Sequence, residues 1–121
     1  MSFDFAIWKR SPTTKTAMLS EVYESIRQGR DHPAMAAFDL HDFEEALRDE
    51  FGSAAFETDG LLLFASGSSA SANWATVECA HSVANEVAMR LVPVALAREL
   101  LVYDPQGKGV WGNKRPPKVS R

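Results

Sequence analysis

The sequence predicts an α+β domain of two layers, with a mostly antiparallel sheet of roughly four strands and helices packed on one face. Some segments alternate apolar and polar residues with a period of two, and others repeat apolar residues every three or four positions. Their order, β-α-α-β-β-α-β, matches the split βαββαβ pattern if the first two helices form one crossover. The length of 121 residues is that of one ordinary domain.

The first strand is expected over residues 2–8, where side chains alternate between two faces. One face carries Phe3, Phe5 and Ile7, and the other carries Asp4, Ala6 and Trp8. A helix capped by a threonine follows and ends near Gln28, because Gly29 can adopt the positive φ of a helix terminus.

The second helix is predicted over residues 40–51, between an N-cap at Asp39 and a stop at Gly52. One side of it is apolar, with Leu40, Phe43, Leu47 and Phe51 at helical spacing. The other side carries an acidic stripe of Asp42, Glu45 and Asp49.

A short apolar run at residues 61–65 and an alternating segment at residues 73–79 predict a hairpin with a long connection. A third helix follows, in which Glu86 and Arg90 are spaced to form an ion pair. Pro93 predicts a kink or two shorter helices, because proline removes a backbone hydrogen bond. Residues 100–103 predict a last strand that ends in a turn.

The domain is placed at residues 1–112, and residues 113–121 are expected to form a basic, mobile tail. From residue 105 onward the chain has no acid and five bases, which are Lys108, Lys114, Arg115, Lys118 and Arg121. Two interpretations stay open for this tail: a solubilising terminus, or a secondary contact to nucleic acid or to the acidic helix.

Acidic residues are concentrated around the second helix. Eight acids and one base between residues 39 and 59 give this segment a net charge of −7, whereas the whole chain carries −3. Such a field selects partners of opposite charge, although an ordinary solvated helix face is the alternative. We expect the partner-binding residues to be Asp39, Asp42, Glu44, Glu45, Asp49 and Glu50.

The motifs of the main enzyme classes are not convincing in this sequence. The lone Cys79 excludes an internal disulfide and a Cys-based zinc site, and the three histidines lack metal-ligand spacing. The serine-rich stretch at residues 66–72 lacks the closing glycine of a nucleophile elbow. Neighbouring acids on a helix do not face each other across a pocket, as glycosidase chemistry requires. We therefore expect a binding protein without metal or cofactor, not an enzyme.

The N-terminus lacks the basic-then-apolar order of a signal peptide, and no apolar run approaches about 18 residues. We expect a cytoplasmic protein without membrane association. A pI near 5.6 argues against direct binding of nucleic acid.

Two motifs carry a resemblance to a group of small bacterial proteins. That group begins M-S-[FY]-D-h-x-h-W, where h is apolar, and has an L-V-x-[YF]-D-P-Q strand and turn after the last helix. The matching residues are Met1, Ser2, Phe3, Asp4, Trp8, Leu101, Val102, Tyr103, Asp104, Pro105 and Gln106. The group resembles the immunity proteins encoded beside polymorphic toxins of the contact-dependent-inhibition and type VI kinds.

This resemblance implies a protein that binds and inhibits a cognate toxin domain without turnover, and it carries over no site residues. Combined with the acidic helix, it suggests occlusion of the active site of a cationic toxin, such as a nuclease. Two alternatives remain. One is a small ligand-binding protein or enzyme with a pocket near Trp8, Tyr103 and Asp104, and the other is a housekeeping interaction domain.

Overall fold

The computed structural model describes residues 2–10, 19–56, 62–66, 73–107 and 109–112. The strands in these ranges are β1 (Ser2–Arg10), β2 (Met35–Ala36), β3 (Leu62–Ser66), β4 (Trp74–Ala80), β5 (Leu101–Asp104) and β6 (Gly109–Trp111). The helices are α1 (Leu19–Arg27), α2 (Leu40–Phe51) and α3 (Ala84–Leu96). The predicted basic tail, the threonine caps before α1 and the connection between β3 and β4 lie outside the described residues.

The strands form one open sheet in the order β3-β4-β1-β5-β6, and β2 pairs with the end of β1 through Lys9 and Arg10. All of these pairings are antiparallel. The α+β class and the antiparallel sheet predicted from the sequence are therefore confirmed. The described part of the sheet has six strands where roughly four were expected, because β2 and β6, of two and three residues, are too short to show a periodic pattern.

The two faces of β1 are both apolar at its centre, and each face builds a separate core. Phe5 and Ile7 pack with α2 and α3 in the larger cluster, which includes Phe43, Leu47 and Leu91. Ala6 and Trp8 face the other side and pack with the α1 residues Leu19, Val22 and Ile26.

The placement of the helices therefore differs from the predicted arrangement on a single face. α2 and α3 form the expected layer, but α1 covers part of the opposite face of the sheet. The physical reason is that the second face of β1 carries Trp8, which is fully buried and requires an apolar cover.

Helix α2 begins and ends where the sequence predicts. The Asp39 carboxylate accepts a hydrogen bond from the backbone N–H of Asp42 at 2.9 Å, which satisfies one of the first amides of the helix. At the other end Gly52 has a φ of 85°, and its N–H donates to the Arg48 carbonyl at 2.8 Å. These two caps fix the ends of the acidic helix.

Helix α3 continues through Pro93, where the sequence predicts a kink or a break. Pro93 lies in the last turn, so its missing N–H removes a hydrogen bond only near the end of the helix. The proline side chain is also exposed to solvent. None of the described helices combines the length and the hydropathy needed to cross a membrane.

Candidate functional site

The acidic surface of α2 is held rigidly by the opposite side of the same helix. Phe43 and Leu47 are fully buried against the sheet, and Phe43 contacts the rings of Phe38 and Phe64 with centroids 6.3 and 6.4 Å away. This packing fixes the rotation of the helix about its axis. Asp42, Glu45 and Asp49 therefore lie on the side of the helix away from the larger core, whereas Glu44 and Glu50 flank the buried residues and Asp39 caps the helix.

Three of these six carboxylates form ion pairs with arginines. Asp42 pairs with Arg98 at 2.7 Å, Glu44 with Arg48 at 2.9 Å and Glu50 with Arg90 at 3.0 Å. Arg90 also donates to the Glu50 carbonyl, and its guanidinium lies 4.6 Å from the centroid of the Phe51 ring. The local field is thus weaker than the sequence-derived charge of −7 indicates.

Two of the pairing arginines, Arg90 and Arg98, come from α3 and the turn after it. The sequence predicts that Arg90 pairs with Glu86 on its own helix, but Arg90 instead reaches across to Glu50 on α2. These two arginines belong to the site but are not among the residues that the sequence predicts for it. No local sequence signal identifies them, because the pairs join residues 40 and 56 positions apart.

Of the other three predicted acids, Asp39 caps the helix, and Glu45 and Asp49 lie on its exposed side. Glu45 contacts the ring of His41 at 3.0 Å, and Asp49 has no ion-pair partner among the described residues. Glu45 and Asp49 are four residues apart and therefore adjacent on the helix surface. We define these two carboxylates as the open acidic pair of α2.

The three residues of the alternative site, Trp8, Tyr103 and Asp104, make contacts within the fold. Trp8 and Tyr103 are buried in the smaller core, with ring centroids 6.0 Å apart. The Asp104 carboxylate accepts hydrogen bonds from the backbone N–H groups of Gln106 and Gly107, at 2.9 and 3.0 Å. The [YF]-D-P-Q motif thus has a structural role here, in which Asp104 closes the turn between β5 and β6.

A second group of acids lies on the other face of the sheet. Asp4 of β1 and Glu78 of β4 stand directly opposite each other in the antiparallel register. Burial, together with the neighbouring Glu78 carboxyl group, raises the pKa of Asp4 above its usual value. Like charges directly opposite in a sheet are destabilising, so this pair opposes folding when both groups are ionised.

The Asp4–Glu78 pair lies in a groove of about 240 Å³ between α1 and the β3–β4 hairpin. The described residues that line it are Asp4, Tyr23, Ile26, Arg27, Leu63, Ala65, Trp74, Thr76 and Glu78. We call this the sheet groove. Burial, with a contribution from the Asp4 charge, also raises the pKa of Tyr23 on its wall.

Replacing Asp4 with asparagine should stabilise the protein at neutral pH. The folded state holds the Asp4 proton more tightly than the unfolded state, because its pKa is raised, so stability falls as pH rises between the two pKa values. An asparagine at this position does not ionise, so it carries no negative charge at pH 7. The other groups that face it, Glu78, Tyr23 and Arg27, are unchanged. We expect a gain of roughly 0.2–1 kcal/mol at pH 7 and none at about pH 3, measured by urea unfolding across that range.

The matched variant is Glu78→Gln, which removes the other half of the same repulsion. Each single variant should stabilise, and the double variant should gain less than the sum of the two. Additive gains, or a loss of stability at pH 7 in both single variants, would contradict the proposed repulsion.

Among the described residues, no group of three or more His, Cys, Asp or Glu side chains is arranged to hold a metal ion. Cys79 is buried in the larger core, and burial raises the pKa of its thiol, which keeps it protonated and unreactive. Comparison with known proteins found no matching family model, curated protein or solved structure.

Proposed function

We propose that this protein is a cytoplasmic immunity protein that binds a cationic bacterial toxin domain and occludes its active site through the acidic surface of α2. The observation that carries the proposal is the open acidic pair, Glu45 and Asp49, held on a helix whose opposite side is fixed in the core. The motif resemblance at the two ends of the domain supports the choice of partner class.

The arginines that pair with acids next to the open acidic pair can be displaced by basic side chains of a partner. Exposed ion pairs contribute only about 0–1 kcal/mol each, so a lysine or arginine of the toxin can replace Arg98 or Arg90 at little cost. The arginine released from Asp42 or Glu50 then stays at the rim of the interface. In this mechanism Glu45 and Asp49 supply the attraction, and the paired acids supply adjustable contacts.

The proposed interface is inhibitory because it covers the basic side chains with which the toxin binds its substrate. A nuclease binds its substrate phosphates with lysine and arginine side chains. Carboxylates spaced one helical turn apart form ion pairs with these lysine and arginine side chains. The substrate is thereby excluded. Complementary charge also accelerates the encounter, and this acceleration is screened by salt beyond about 8 Å at physiological ionic strength.

The experiment uses the neighbouring reading frame of the genome. If that frame encodes a protein ending in a short basic domain, the domain is expressed in a sensitive bacterial host with and without this protein. We expect growth arrest without it, rescue with it, and a stable complex of the two purified proteins. Arrest that this protein does not relieve, together with no detectable complex, would overturn the proposed function.

A further inference from the structure

The sheet groove lies apart from the surface of α2. Its acids point to the face of β1 that carries Ala6 and Trp8, whereas α2 packs on the face that carries Phe5 and Ile7. One compact partner domain on α2 therefore does not reach the groove. Whatever the groove binds is independent of the proposed toxin interface.

We propose that the sheet groove binds an arginine side chain from an extended segment of a partner protein. The guanidinium would lie against Asp4 and Glu78, and the aliphatic part of the side chain would lie along Leu63 and Trp74.

The negative charge of Asp4 and Glu78 in the sheet groove is not balanced by a base among the residues that the structure describes. Asp4 and Glu78 form no ion pair with any described base, and the single base that lines the described part of the groove, Arg27, pairs with Glu24 at 3.2 Å. Two acids directly opposite each other break a local rule of sheet stability. Such violations are expected where binding provides the compensation.

The second argument is an unsatisfied donor in the same wall. Trp74 is 6% exposed, and its Nε1–H has no hydrogen-bond acceptor among the described residues. A buried N–H without a partner costs about 1–3 kcal/mol, and the Trp8 Nε1–H in the same core is also unpaired among the described residues. A ligand that opens the wall at Trp74 and brings an acceptor would recover this cost. An extended peptide brings both elements, a carbonyl acceptor in its backbone and a cation in its side chain.

The third argument is the size and lining of the groove. Its volume of about 240 Å³ is below the roughly 300–1,000 Å³ of sites for drug-sized ligands, so it suits a single side chain. Leu63 is 60% exposed at its edge, which offers an apolar contact for methylene groups. The half-buried ring of Tyr23 and the two carboxylates favour arginine over lysine, because guanidinium stacks on aromatic rings and binds carboxylates in pairs.

The test is a titration of the ¹⁵N-labelled full chain with the peptide acetyl-Ala-Arg-Ala-amide, followed by NMR. We expect saturable shifts at the Trp74 indole N–H and at the backbone amides of Asp4 and Glu78, in the millimolar range. The same peptide with norleucine in place of arginine should give no shift at equal concentration. Glu78→Gln should weaken binding of the arginine peptide at least fivefold, and the control Glu86→Gln on α3 should leave it unchanged.

Three outcomes would overturn the proposal. Equal binding by Glu78→Gln would show that the acids do not hold the guanidinium. Shifts confined to α2 would place the site on the other face of the sheet. Saturable shifts with calcium or magnesium chloride, combined with none from the arginine peptide, would assign the groove to a metal ion instead. Because Glu78→Gln is expected to stabilise the fold, weaker binding by this variant is not a consequence of unfolding.

Discussion

Reversing the open acidic pair with Glu45→Lys and Asp49→Lys is expected to weaken binding of the cationic toxin domain by about 2 kcal/mol, roughly 30-fold in Kd. Each reversal removes an attraction of about 0.5 kcal/mol and replaces it with a repulsion of similar size. Asp42 is left intact because its carboxylate pairs with Arg98 at 2.7 Å, so reversing it would also disturb the contact between α2 and the turn after α3. Calorimetric titration at two salt concentrations measures the effect.

The matched control is Glu21→Lys with Glu24→Lys on α1. It changes the net charge by the same amount, but α1 packs on the opposite face of the sheet. We expect this control to change Kd by less than about threefold, since exposed charges away from the interface are largely screened. An equal loss in both double variants would show that net charge alone, and not the surface of α2, attracts the partner.

Truncating Phe43 to alanine is expected to destabilise the fold by about 3–5 kcal/mol. Phe43 is fully buried between α2 and the sheet and contacts the rings of Phe38 and Phe64. Removing it leaves a cavity in the packing that fixes the acidic surface. Because small domains have a total stability of only about 5–15 kcal/mol, this loss should shift the urea midpoint strongly.

The exposed residue Leu63 provides the control for this prediction. Leu63→Ala also shortens an apolar side chain, but 60% of Leu63 is already accessible to solvent. We expect a change within about 0.5 kcal/mol. A loss of less than about 1 kcal/mol for Phe43→Ala, far below the usual cost of such a truncation, would contradict the view that α2 is fixed by this contact.

Helix α2 could be predicted from the sequence because every local signal agrees. Asp39 is a good N-cap, the apolar residues repeat at helical spacing, and Gly52 ends the helix with a positive φ. Strand β2 could not be predicted, because two residues show no period and it forms only by pairing with Lys9 and Arg10.

The side on which α1 packs has only a partial signal in the sequence. Trp8 stands on the face of β1 opposite Phe5 and Ile7, and a tryptophan there favours a second apolar layer without showing which helix supplies it. The site was less predictable than the fold. The pairing of Arg98 with Asp42 depends on how two helices pack, and the pairing of Asp4 with Glu78 depends on strand register.

These long-range pairs reduce the negative charge that the acidic segment presents to a partner. The sequence shows a block of negative charge, whereas in the described part of that segment Asp42, Glu44 and Glu50 pair with arginines, and Glu45 and Asp49 do not. The fold also creates a second acidic group, Asp4 and Glu78, that no local charge count contains.

Docking of the partner on the outer surface of α2 can be tested by the footprint of the bound toxin domain on the ¹⁵N-labelled protein. We expect NMR shifts and signal loss to centre on Glu45 and Asp49 and to extend to Arg90 and Arg98. A footprint centred on α1 or on the β3–β4 hairpin, with α2 unperturbed, would contradict it.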